Sequence, residues 1–315
     1  MAGEQLDGAI ADLVEPSGSA GPDAKAVHDA RKRLKKTRSL VRLGRADLGA
    51  RFSRQVNVEL RDAGRALSAR RDADVLIETV QRLLAATDDP RVIEPLALTR
   101  ERLDAGRDGA SEPAGPAGPA GPAGQGLASA GAIAEGLTRT RERLVARPTR
   151  AGGWNMLEPG LRRQYGAGRE ALAALRRAAP DEAWHDWRKR TKDHWYHLRL
   201  LHEAWPEVMG PLSYQASDLA DLLGDDHDLS VLADNLAADP PPVVPHAPVQ
   251  AFIAGEQARL RAQARILGRR LFADAPGPWA SRIGTWWKLA ARGNDSSESS
   301  VPAVAATALT NGDTT

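Results

Sequence analysis

Residues 27–43, VHDARKRLKKTRSLVRL, and residues 184–201, WHDWRKRTKDHWYHLRLL, are two versions of one stretch. His28-Asp29-Ala30-Arg31-Lys32-Arg33 lies over His185-Asp186-Trp187-Arg188-Lys189-Arg190 at an offset of 157, and Lys35, Arg42 and Leu43 then fall on Lys192, Arg199 and Leu200. A second block, LSARRDADVL at 67–76, lies over LGDDHDLSVL at 223–232 at an offset of 156, one residue having been lost in between. The breakers Asp88-Asp89-Pro90 and the cluster at 239–242 take equivalent places. Two copies of one helical unit are present.

At about 100° per residue, His28, Arg31, Lys32, Lys35 and Arg42 fall within an arc of roughly 100°, with Val27, Ala30, Leu34 and Val41 on the adjoining arc. Over the fourteen steps from His28 to Arg42 the cationic face extends roughly 21 Å. Between Lys25 and Arg45 nine basic residues stand against the single acid Asp29, so pairing within the helix cannot neutralise them. A lone basic run is usually a solvated face. Here the second copy keeps the face, as His185, Arg188, Lys189, Lys192 and Arg199, while the flanking Arg33, Lys36 and Arg38 become Arg190, Asp193 and Trp195. That selective retention points to anion binding. Duplicated units packed about a pseudo-twofold axis bring the two cationic helices together around a shared concavity.

Outward from these blocks, periodicity speaks for helices at 24–45, 52–69, 75–86, 92–103, 127–145, 158–178, 181–205, 212–223, 229–237 and 249–272. The fold class expected is all-α, as two four-helix-bundle-like halves related by internal duplication and pseudo-twofold symmetry, with a central basic cavity. The expected division is an N-terminal segment 1–23, a first half 24–110, a linker 111–126, a second half 127–290 and a disordered tail 291–315. The linker carries EPAGPAGPAGPAGQG at 112–126, too few triplets for a collagen helix and suited to an exposed semi-stiff spacer. The chain has 315 residues, 42% of them hydrophobic and 27% charged, enough for a buried core. With no cysteine, thiolate metal sites, thiol nucleophiles and disulfides are excluded. The opening MAGEQLDGAIADLVEPSG has no basic residue and no apolar run reaches bilayer length, so a cytoplasmic protein without membrane anchoring is expected.

The segments VHDARKRLKKTRSLVRL and WHDWRKRTKDHWYHLRLL, followed by LSARRDADVL and LLGDDHDLSVL, resemble the duplicated signatures of the CHAD family, the conserved histidine α-helical domain. The resemblance implies paired helical bundles, a central basic cavity, binding of inorganic polyphosphate and association with polyphosphate granules and their proteins. It carries the binding role to His28, Arg31, Lys32, Lys35 and Arg42, and to His185, Arg188, Lys189, Lys192 and Arg199. Arg162, Arg163, Tyr165 and Arg169, in GLRRQYGAGREAL, resemble a further family block, and Arg162, Arg163 and Arg169 stand as second-tier contacts with Arg38 and Tyr196. Some family members are fused to a triphosphate tunnel domain marked by E-x-E-x-K; no two Glu here are two positions apart, so that enzyme is not expected in this sequence.

Two other chemistries are open to weighing. The run Asp225-Asp226-His227-Asp228, with the doublets His28-Asp29 and His185-Asp186, invites a metal phosphohydrolase. Against it, the first-copy counterpart of His227 is Arg71, which cannot ligate a metal. Asp72 and Asp228, each just before an apolar run, are expected to cap helices and form salt bridges. No metal, cofactor or nucleophile elbow is expected, and the chain reads as a binding module rather than an enzyme. Nucleic acid shares the phosphate electrostatics and is the secondary partner class, but Trp187 aligns with core-facing Ala30 and Trp184 with Val27, so these rings are expected to pack between helices.

Overall fold

The computed structural model describes residues 2–14, 22–67, 71–109, 130–148, 153–176, 179–238 and 246–295, and the regular elements among them are helical throughout. They are α1 (Ala2–Val14), α2 (Ala24–Leu43), α3 (Arg45–Leu48), α4 (Ala50–Ala66), α5 (Arg71–Leu84), α6 (Pro90–Gly109), α7 (Ala130–Val145), α8 (Trp154–Ala174), α9 (Asp181–Leu200), α10 (Pro206–Ala238), α11 (Ala247–Leu271) and α12 (Pro276–Asp295). A 3₁₀ turn at His202–Ala204 joins α9 to α10. No helix among the described residues is long and apolar enough to cross a membrane.

The repeated basic blocks form α2 and α9, each 20 residues long. Asp23 caps α2, its carboxylate accepting from the Ala26 N–H at 2.7 Å. Their apolar arcs enter different cores. Ala30, Leu34 and Val41 of α2 pack with Leu6, Ala9 and Leu13 of α1, Val56 and Leu60 of α4, and Ile133 and Leu137 of α7. Trp184, Trp187 and Leu198 of α9 pack with Leu161 and Tyr165 of α8, Leu219 and Leu223 of α10, and Trp279 and Ile283 of α12. As expected of a core ring, Trp187 is fully buried. It presses so closely on α11 that a Cβ at Gly268 would stand 2.4 Å from its ring. A third core joins Val80 and Leu83 of α5, Leu96 of α6, Leu229 and Leu232 of α10, and Ile253 of α11.

Packing does not follow the expected division. The linker 111–126 lies outside the described residues, yet α7, beyond it, closes the first bundle, while α5 and α6, before it, share a core with α10 and α11. The segment expected to precede the first half carries α1, which supplies core side chains and the Asp12 carboxylate that pairs with Arg33 at 2.9 Å. Residues 291–295 of the expected tail belong to α12, and 296–315 lie outside the described residues. Where two helices were expected at 212–223 and 229–237, α10 runs unbroken through Gly224, because a single glycine costs a helix only about 1 kcal/mol.

Candidate anion-binding site

The cationic arcs of α2 and α9 converge where the two helices cross. Ser39 Oγ lies 3.1 Å from His197 Nε2, and Arg42 is ion-paired with Asp193. Numbers rise along α2 as they fall along α9, so the pair is antiparallel. His28 and His185 therefore stand beyond opposite ends of the crossing. The described clefts are lined by other residues, such as Val75, Arg82 and Asp228 between α5 and α10, or Glu59 and Arg139 between α4 and α7.

The α2 arm is reinforced from across the crossing. Arg199 of α9 acts on both Lys32 and Lys36. Burial and then Arg199 lower the Lys32 amine from its ordinary value, and burial, Arg199, Lys32 and Arg33 push Lys36 down to about 8. The Arg199 guanidinium lies over the Trp195 ring, 5.3 Å from its centroid, a stacking contact that fixes its plane. Arg38 is surrounded by Arg42, Arg61 and Arg65, with Asp193 as counter-charge. Tyr196 stands between Arg199 and the Arg42–Asp193 pair, and burial raises its hydroxyl to about 12, so it is a proton donor at neutral pH.

The α9 arm is balanced differently. Arg188 faces Asp228, Asp221 and Asp225 of α10, and Lys192 acts on Asp221 and Asp228. The first-copy counterparts of Asp221 and Asp225 are Arg65 and Ala69, while Asp228 keeps an acid, Asp72, as its counterpart, so two of the three carboxylates opposite the α9 arm have no acidic equivalent in the first copy. The His185 ring packs on His227, centroids 4.3 Å apart, and burial with His227, Lys189 and Arg188 pushes it down to about 4, leaving the imidazole neutral at pH 7.

The ten first-tier residues thus share two arms, with Lys32 and Arg199 brought together at the crossing and Arg42 already paired. His28, Lys35 and Lys189 are exposed. The second-tier arginines divide. Arg163 donates to the Arg42 carbonyl at 2.6 Å, and Arg169 Nη1 to the carbonyls of Phe272, Ala273 and Asp274 at 3.1, 2.6 and 2.6 Å. Both close helix C-termini, where unsatisfied carbonyls and the helix dipole favour a cation. Arg162 stays exposed beside Glu158 and Glu170.

Asp228 corrects a further expectation. It sits in the middle of α10, where the backbone N–H groups are already bonded, so it cannot cap, and it works as a counter-charge to Arg188. The side chains of Asp72 and Arg71 lie outside the described residues. Asp226 forms a buried pair with Arg261 Nε at 2.6 Å, and the same guanidinium reaches Asp181 at 2.7 Å and stacks on Trp184. Salt bridging therefore accounts for Asp226 in the run that invited a metal. Lys36 is the residue that sequence reasoning missed. It lies about 40° beyond the cationic arc, and its counterpart is an acid, so nothing in the repeat marks it.

A family model, CHAD domain, matches residues 4–237. No curated protein matches the sequence. Among solved structures, PptA from Streptomyces chartreusis is similar, with a TM-score of 0.52 and 16% identity over 87% of this chain and 96% of PptA, a likeness of fold. With the family match spanning well over half of the 315 residues, the chain belongs to the CHAD domain family.

Proposed function

We propose that the chain binds inorganic polyphosphate on the cationic faces of α2 and α9, without catalysing its turnover, and that it does so in the cytoplasm at polyphosphate granules. The observation that carries this reading is the meeting of cations from two helices at the crossing, with Arg199 of α9 against Lys32 and Lys36 of α2. Such a cluster disfavours the apo state electrostatically and is relieved by a polyanion, whose successive phosphoryl oxygens accept charge-assisted hydrogen bonds. Membership of the family supports it. Nucleic acid offers the same phosphates, but the Trp184 and Trp187 rings of the repeated block are buried in the core and do not stack on bases.

Titration of polyphosphate, single-stranded DNA and RNA at one fixed salt concentration tests the reading. Polyphosphate is expected to bind and to displace either nucleic acid. Displacement in the opposite sense would overturn the ligand assignment, and orthophosphate release with added Mn²⁺ or Mg²⁺ would overturn the non-catalytic role.

A further inference from the structure

The repeat and the ion pairing part company at Lys36. The offset of 157 carries Arg42 onto Arg199 and Lys36 onto Asp193. In an antiparallel crossing the ion pair between Arg42 and Asp193 therefore has a twin position, where Arg199 acts on Lys36. One member of this pair of contacts is closed by an ion pair, and the other sets two cations against each other. Arg33, three residues back along α2, is taken by Asp12. Against Lys36 the acting carboxylate is Asp29 of its own helix, one acid facing Arg199, Lys32 and Arg33, and Arg199 is held in place by Trp195.

We propose that Lys36 and Arg199 form a phosphoryl-binding subsite that their twin positions lack, so that the two copies of the repeat engage a polyanion unequally. The proposal rests on the polyanion-binding reading above and adds to it a residue outside the repeated signature. The charges acting on Lys36 are Arg199 from α9 and Lys32, Arg33 and the lone acid Asp29 from α2 itself. With its amine pushed down to about 8, Lys36 is close to half neutral at pH 8. A phosphoryl group beside it favours the ammonium, so binding at that pH takes up protons through this residue.

The test is calorimetric titration of inorganic polyphosphate into the full chain at pH 8, in two buffers of different ionisation enthalpy, alongside Lys36→Gln and Lys36→Asp. Terminal phosphates of the ligand also titrate, and the difference between wild type and Lys36→Gln isolates the lysine. Lys36→Gln is expected to bind roughly tenfold more weakly or worse, as fits the loss of one charged hydrogen bond, and to take up fewer protons. Lys36→Asp copies the twin: it should pair with Arg199, raise the melting temperature and bind more weakly still. A wild type that does not bind polyphosphate overturns the proposed function. A wild type that binds, with Lys36→Gln matching it in affinity and proton uptake, overturns the subsite alone. A Lys36→Asp chain that melts lower than wild type overturns the facing of Lys36 and Arg199.

Discussion

Replacing Asp193 by Asn should weaken the fold and tighten polyanion binding in the same molecule. Asp193 is 5% exposed and carries the counter-charge for Arg42, whose guanidinium also donates to Asn57 at 3.2 Å. Removing one partner of a buried pair costs about 3–5 kcal/mol. Asparagine keeps the volume and one acceptor, and the Arg42 side chain is 26% exposed and keeps Asn57, so the loss should be nearer to about 2 kcal/mol. With an unfolding entropy of about 2.1 cal/mol/K per residue over a chain of this length, that lowers the melting temperature by about 3 °C. The binding side moves the other way. Arg42, relieved of its carboxylate and standing beside Tyr196, becomes a second donor at the crossing, and one charged hydrogen bond is worth about 1.5–3 kcal/mol, or roughly ten- to a hundredfold in affinity. Thermal melts, with polyphosphate titrations at fixed low salt, read both quantities. Unchanged or weaker binding in a destabilised Asp193→Asn chain would refute the idea that Asp193 shuts half of the site.

Affinity for polyphosphate should fall steeply as ionic strength rises, because released counterions drive the binding of a polyanion to clustered cations; salt-independent binding would count against the two arms as the site. Replacing Arg31, Lys32 and Lys35 together by Ala should cost more affinity than replacing Arg188, Lys189 and Lys192. The second set should also lower the melting temperature, since it takes Arg188 and Lys192 from Asp221 and Asp228, while Asp225 keeps Arg82; equal losses of affinity from the two sets would contradict the asymmetry. His194 is buried among Tyr165, Phe272 and Trp279, and burial pushes it down to about 3 from an ordinary 6.5. The unfolded chain then binds the extra proton, so stability is full above pH 6.5 and is lost as pH falls from there toward 3. His194→Phe should flatten this slope by about one proton in denaturant melts between pH 7 and 4.5, and an unaltered slope would assign acid sensitivity elsewhere.

The sequence by itself determined the helices, the two cationic arcs and the burial of Trp184 and Trp187, because each follows from periodicity along a single segment. It also held signals that went unread: Leu6, Ala9 and Leu13 in α1 and Trp279 and Ile283 in α12 recur at helical spacing. Tertiary structure alone decided how the cations are used. Arg163 and Arg169 look like their neighbours in the chain, and only the helix ends packed against them turn them into caps. Nor does the repeat reveal that Arg42 meets Asp193 while Arg199 meets Lys36, since charge at a position says nothing of the charge it faces until two helices cross. The same holds for α10, whose Asp221 and Asp228 meet Arg188 and Lys192 of α9 only because the two helices pack together. A helix fixes the spacing of its own side chains, but electrostatic energy depends on the distance between groups from different helices, and that distance is set by packing.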